Sequence, residues 1–209
     1  MTRPKSSVLG KDKDVLPLLF QVHAPNAIDI LDCTHNKGVM WKGLDYKIIT
    51  MDIDSQHKPD VVGDFTNMPF KNNCFDVLVF DPPHLPNAGH SQLSSLSWDN
   101  RYGITDNGRD GDNVSNMFLP FFKEAKRVLK QNGVVFAKIA DLVHNHRYQW
   151  QHIDLIVAAQ QTGMTACDMI IKIDPNAGSL LSSKWTNIKH FRKNHCFWIV
   201  IRNGNKCEL

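Results

Sequence analysis

Seven short apolar runs rich in β-branched residues divide the chain, at 27–33, 47–51, 60–62, 75–80, 134–139, 168–173 and 196–201. Runs of this length and composition predict strands. Between them lie helical patterns. Val114, Phe118, Phe121, Ala125, Val128 and Leu129 recur at the spacing of one helix face, closed at Asn132-Gly133, with Pro120 marking either a kink or the true first turn. Trp150, Ile153 and Val157 outline a second apolar face between the fifth and sixth runs. Strands that alternate with helices imply an α/β fold with a mostly parallel sheet covered on both faces, because a parallel crossover needs a helix to return the chain. The sixth and seventh runs are joined by a polar stretch with no helical pattern, so strand seven is expected to return antiparallel at or near the sheet edge.

The 209 residues suit one domain spanning 1–209, large enough to bury a core. Its expected parts include an N-terminal helical extension over about 1–26, a long polar loop at 85–113 and a basic loop at 174–195. No apolar run approaches the roughly 18–20 residues of a spanning helix, and the polar start is no secretory signal. No membrane association and a cytoplasmic location are the expectation. The five cysteines, Cys33, Cys74, Cys167, Cys196 and Cys207, lack CxxC spacing and are expected to stay reduced. Cys33 with His35, or His144 with His146, finds no third and fourth ligand at metal-site spacing, so no metal is expected. The net charge of +3 is unevenly placed: 175–207 holds six Lys or Arg and no acid, against 18 basic and 21 acidic residues elsewhere.

In an open parallel sheet, ligands bind beyond the carboxyl ends of the strands near the reversal of strand order. Four such ends carry distinctive residues. The first is Asp32-Cys33-Thr34-His35-Asn36-Lys37-Gly38, a strand entering a turn in which glycine permits close approach of a ligand and Asp32 can hold a ligand amino group. The second ends at Asp52-Ile53, an acid where nucleotide-binding sheets bond ribose hydroxyls. The third ends at Asp64-Phe65, an acid and an aromatic suited to an adenine amino group and ring face. Three acids at three successive strand ends suggest one ligand.

The fourth end, Phe80-Asp81-Pro82-Pro83-His84, is the most specific. Successive prolines remove two N–H donors and leave carbonyls free to accept hydrogen bonds. The amino group of adenine or cytosine is a poor nucleophile because its lone pair is delocalised into the ring. Asp81 and the Pro82 carbonyl, each accepting one of its N–H groups, would favour a pyramidal nitrogen oriented for in-line attack, and His84 would stack on the base.

These residues resemble class I S-adenosylmethionine-dependent methyltransferases, in particular the DNA adenine-N6 or cytosine-N4 amino-methylases with a [DNS]-P-P-[YFW] motif. The resemblance spans roughly 28–203. It implies a Rossmann-like, seven-stranded fold and S-adenosylmethionine as cofactor. It further implies Asp32, Cys33, Thr34, His35, Lys37 and Gly38 as the cofactor loop, Asp52 with Ile53 at ribose, Asp64 with Phe65 at adenine, and Asp81, Pro82, Pro83 and His84 as the catalytic motif. Lys138-Ile139-Ala140-Asp141 and Lys189-His190-Phe191-Arg192 also resemble the late part of bacterial and phage members. Two positions depart from the pattern: the cofactor loop holds one glycine where FxGxG is usual, and His84 replaces an aromatic six-membered ring.

DNA is the expected substrate, entered by flipping a base out of the stack. Trp98, Arg101 and Tyr102 in the long loop are candidate contacts. So are Lys184, Trp185, Lys189, His190, Arg192 and Lys193, which interleave cations for phosphates with rings for exposed bases. Two alternatives stand beside this. One is methylation of guanine N2 in RNA, although that class brings a separate RNA-binding domain for which the segment before Ala27 is short. The other is a cofactor- or nucleic-acid-binding protein without turnover, raised by the two departures.

Overall fold

The computed structural model describes residues 4–83, 113–144, 147–174, 191 and 193–204. Its strands are β1 (Ser7–Leu9), β2 (Ile30–Asp32), β3 (Ile49–Asp52), β4 (Val61–Val62), β5 (Phe75–Phe80), β6 (Leu129–Ile139), β7 (Leu142–His144), β8 (Arg147–Gln149), β9 (Thr165–Ile173) and β10 (His195–Arg202). Its helices are α1 (Asp12–His23), α2 (Asn113–Asn116), α3 (Phe118–Val128) and α4 (Gln151–Gln161). Eight strands form one sheet in the order β1-β9-β10-β6-β5-β2-β3-β4. All pairs are parallel except those of β10, which runs antiparallel to both β6 and β9. The antiparallel seventh strand of the sequence pattern is therefore present, near one edge as the third strand in, with β9 and β6 as its neighbours. The edge is taken by β1, which pairs with β9 through Ser7↔Ile171 and Leu9↔Ile173 in a segment expected to be helical.

The period-two alternation of the strands sorts the core into two layers. Ile30, Val77, Val79, Val134, Phe136, Ile170, Trp198 and Val200 pack against Val15, Leu16, Leu19 and Phe20 of α1. Leu31, Leu78, Phe80, Val135, Ala137, Ile139 and Ile199 point the other way, against α3 and α4. Helix α1 begins where the Asp14 carboxylate accepts the Lys11 N–H at 2.8 Å. This start sets Asp12 in the first turn, where the helix dipole favours a negative charge.

Several details differ from the sequence pattern. Helix α3 stops at Val128, short of the expected Asn132-Gly133 closure. Asn132 instead takes a left-handed conformation (φ 63°) inside the irregular start of β6, and its N–H donates to the Asn203 carbonyl. Pro120 sits in the first turn of α3, where its missing N–H costs nothing, and a separate short α2 precedes it. Trp150, Ile153 and Val157 are 53%, 47% and 44% exposed, so this apolar stripe is not the packing face of α4; Gln151, Leu155, Ala158 and Ala159 are. Cys33, Cys74 and Cys196 are free thiols, but Cys167 is disulfide-bonded, against the expectation for all five.

Candidate active site

The chain order reverses between β2 and β5: β3 and β4 extend the sheet one way and β6 the other. Beyond the carboxyl ends of β2 and β5 a crevice opens, as this topology requires. The loop after β2 is tied across it. Cys33 donates its N–H to the Val79 carbonyl, His35 donates to the Met51 carbonyl, and the Thr34 hydroxyl accepts the Asp81 N–H at 2.8 Å. The Asp52 carboxylate closes the other side, accepting the N–H groups of Asn36 (2.6 Å) and Asp54 (2.9 Å). Gly38 is needed here. Its φ is 62°, and a Cβ on it would meet the His35 ring at 2.7 Å.

Two connected hollows result. The larger, about 310 Å³, is walled by the 34–37 loop, Val39, Met40, Asp81 and Pro82, with Asp12 and Lys138 at its base. The smaller, about 50 Å³, lies among Cys33, Asp52, Ile53, Phe65 and Pro83. Thr34, Asn36 and Asp81 border both. The smaller hollow has a firm apolar wall, since Phe65 packs edge-on to Phe80, and Phe80 stacks on Phe121 of α3 at 3.6 Å and 7°. The Asn36 side-chain oxygen is buried and has no hydrogen-bond partner among the described residues, an acceptor held ready between the two hollows.

Most of the expected residues converge. Cys33, Thr34, His35, Lys37, Asp52, Ile53, Phe65, Asp81, Pro82 and Pro83 all border the crevice. Asp32 does not: it is fully buried beneath the loop, where it accepts the Trp41 indole N–H (2.7 Å), the Thr34 N–H (3.2 Å) and a contact from His35 Nδ1 (3.3 Å). It shapes the loop through these bonds. Asp64 also departs from its expected place, accepting the Thr66 N–H and hydroxyl in a local turn while its neighbour Phe65 borders the crevice. Gly38 acts through the turn and borders neither hollow. His35 is pulled above its ordinary pKa by its hydrogen bond to Asp32, which outweighs the opposing effect of burial.

His84, Trp98, Arg101, Tyr102, Lys184, Trp185, Lys189, His190 and Arg192 lie outside the described residues. Lys193 is described, with its ammonium 4.2 Å from the centre of the Tyr148 ring.

Sequence reasoning took Asn36 only as part of the 32–38 loop and missed Asp12 and Lys138 as site residues. Lys138 carried a signal, being a lysine in the otherwise apolar end of β6. Asp12 carried none. Lys138 Nζ bonds Asp81 Oδ2 at 2.9 Å and Asp12 Oδ2 at 3.0 Å, and Asp12 Oδ1 in turn accepts Lys172 Nζ at 2.7 Å and the Trp198 indole N–H at 3.2 Å.

No protein-family model and no curated protein matches the chain. Solved structures do resemble it. One is an S-adenosylmethionine-dependent methyltransferase of Methanosarcina mazei, with 13% identity, covering 89% of this chain and 96% of that one at a TM-score of 0.54. Another is the 1,6-didemethyltoxoflavin-N1-methyltransferase of Burkholderia thailandensis, crystallised with 1,6-didemethyltoxoflavin and S-adenosylhomocysteine. It shares 9% identity over 91% of this chain and 77% of that one, also at a TM-score of 0.54. A Thermus thermophilus protein proposed to be a DNA modification methylase aligns with a TM-score of 0.42 and 12% identity over 64% of this chain. The chain spans only 47% of that protein's length. The fold is thus the Rossmann-like fold of class I methyltransferases. At such identities the likeness fixes architecture alone, and chemistry must be argued from the site.

Proposed function

We propose that this chain is an S-adenosylmethionine-dependent methyltransferase acting on an exocyclic amino group of a base in DNA, adenine N6 or cytosine N4. The observation that carries the proposal is the position of Asp81-Pro82 at the junction of the two hollows, where a group bound in either would meet the carboxylate. The cofactor suits the residues present. A carboxylate has about four lone-pair sites, so Asp52, which spends two on backbone N–H groups, retains acceptors for ribose hydroxyls. Ile53 and Phe65 offer apolar walls for adenine, and the unpartnered Asn36 oxygen suits an ammonium or hydroxyl donor.

Bound S-adenosylmethionine would supply an electrophilic methyl group, whose transfer breaks a carbon–sulfur bond, forms a carbon–nitrogen bond and leaves a thioether, while the nitrogen releases one proton to solvent. Asp81 and the Pro82 carbonyl would each accept an amino N–H and orient the nitrogen lone pair. These hydrogen bonds strengthen as the nitrogen becomes cationic, so they act on the transition state more than on the bound substrate. His84 would stack on the base. Trp98, Arg101, Tyr102, Lys184, Trp185, Lys189, His190, Arg192 and Lys193 are proposed to contact the nucleic acid, a location in the cytoplasm suiting either DNA or RNA.

Incubation with labelled methyl donor and genomic DNA or total RNA, followed by nucleoside analysis, should place label on adenine N6 or cytosine N4 of DNA. Asp81→Ala should lower that rate on the order of a hundredfold or more with cofactor affinity nearly intact. Label on RNA alone would reassign the substrate. Cofactor binding with label on neither would overturn the methylase.

A further inference from the structure

Beneath the motif lies a chain of alternating charges that the proposed reaction does not by itself require. By strand parity Lys138 shares a face with Val134 and Phe136, and Lys172 with Ile170; Trp198 is on the same face, turned toward α1. The Asp12 carboxylate receives Lys138, Lys172 and Trp198 together, and Lys138 spans from it to Asp81. The four charged side chains are only 11–20% exposed. Four charges buried to this degree are costly unless they neutralise one another, and here two carboxylates meet two ammonium groups. Among the described residues, His35 and Lys37 border the same hollow as Asp81, and Cys196 on β10 lies near the charges, burial pushing its thiol up to about 11. Burial alone would lower Lys138, but the Asp81 and Asp12 carboxylates outweigh it and hold its ammonium well above the ordinary lysine range.

We propose that Lys138, anchored by Asp12 of α1, is a positioning residue that holds the Asp81 carboxylate at the crevice in its ionised, hydrogen-bond-accepting form, making α1 a working part of the active site. The assignment rests on the methyltransferase activity proposed above. An amino group donating to Asp81 needs an acceptor, and a protonated carboxyl turned to present its O–H would fail it. An ammonium 2.9 Å from Asp81 Oδ2 opposes that protonation and fixes the rotamer at once.

The test pairs two variants whose electrostatic effects differ in sign. Lys138→Met removes the cation beside Asp81. Its single-turnover methylation rate at neutral pH should fall about tenfold or more, the acid limb of its pH–rate profile should move to higher pH, and raising the pH should recover part of the rate. Binding of S-adenosylhomocysteine should change less than about threefold. Asp12→Asn removes a negative charge from the far side of Lys138. It should slow turnover modestly by loosening the anchor and move the acid limb to lower pH, if at all. A rate loss with an unmoved acid limb in Lys138→Met would show a merely structural role and overturn the proposal, as would an upward shift in Asp12→Asn should the first variant fail to fold. If the parent protein methylates neither DNA nor RNA, the proposed activity has failed and the positioning claim is judged separately by NMR titration of the Asp81 carboxyl carbon. There Lys138→Met must raise the titration midpoint, and an unchanged midpoint would overturn it.

Discussion

The two faces of the sheet arrive at the same crevice with opposite chemistry. On the α3/α4 side, the strand end before Asp81 rests on a dry aromatic stack of Phe65, Phe80 and Phe121. On the α1 side, the same few residues rest on charge: Asp12, Lys138, Lys172 and, beneath the loop, the Asp32–His35–Trp41 group. Apolar packing is non-directional and holds the backbone in place, whereas ion pairs are directional and hold particular side-chain atoms. One face thus supplies rigidity and the other orientation, and only the second should respond to pH.

The largest expected effect comes from the apolar face. Phe121→Ala removes the ring under Phe80 and should cost about 3–5 kcal/mol of stability, seen as a lower midpoint in denaturant unfolding and similar at pH 6 and pH 8. A loss below about 1 kcal/mol would show that the stack is not what supports the strand end.

A smaller effect separates the faces by pH. His35 has a raised pKa in the folded chain, so its contribution to stability is complete below the unfolded value near 6.5 and is lost as pH rises through the folded value. Unfolding midpoints of the parent should therefore decline across that window more than those of His35→Gln. Equal declines would remove the Asp32–His35 contact from the energetics of the charged face.

The smallest effect is expected on the outer side of α4. Ile153→Ser and Val157→Ser should each change stability by no more than about 0.5 kcal/mol, because these side chains face away from the aromatic layer. A loss of several kcal/mol in either of them would extend the apolar face around the helix.

Much of this architecture is legible in the linear chain. Strands were read from β-branched runs because a buried parallel strand must be apolar along its length, and β5 matches its run at both ends. The failures have common causes. Strand β1 is three residues long, too short for any period to appear, and it exists only because β9 offers an unpaired edge. The Trp150, Ile153, Val157 stripe has helical spacing but points outward, since periodicity marks a face without saying what lies opposite it.

The sequence by itself determined the order of strands and helices in a mostly parallel sheet, the antiparallel last strand, and the placing of Asp52 and Asp81-Pro82-Pro83 at strand ends. Each follows from local rules: periodicity, the need of a parallel crossover for a helix, and the loss of N–H donors at proline. Only the tertiary structure decided which acids face the crevice. Asp32 and Asp52 end neighbouring strands and look alike in sequence, yet Asp32 is turned inward to the Trp41 indole and Asp52 borders the smaller hollow. Tertiary structure alone also brought Asp12 to Lys138 across 126 positions, because a salt bridge depends on where two chain segments meet in space and leaves no spacing for a sequence to display.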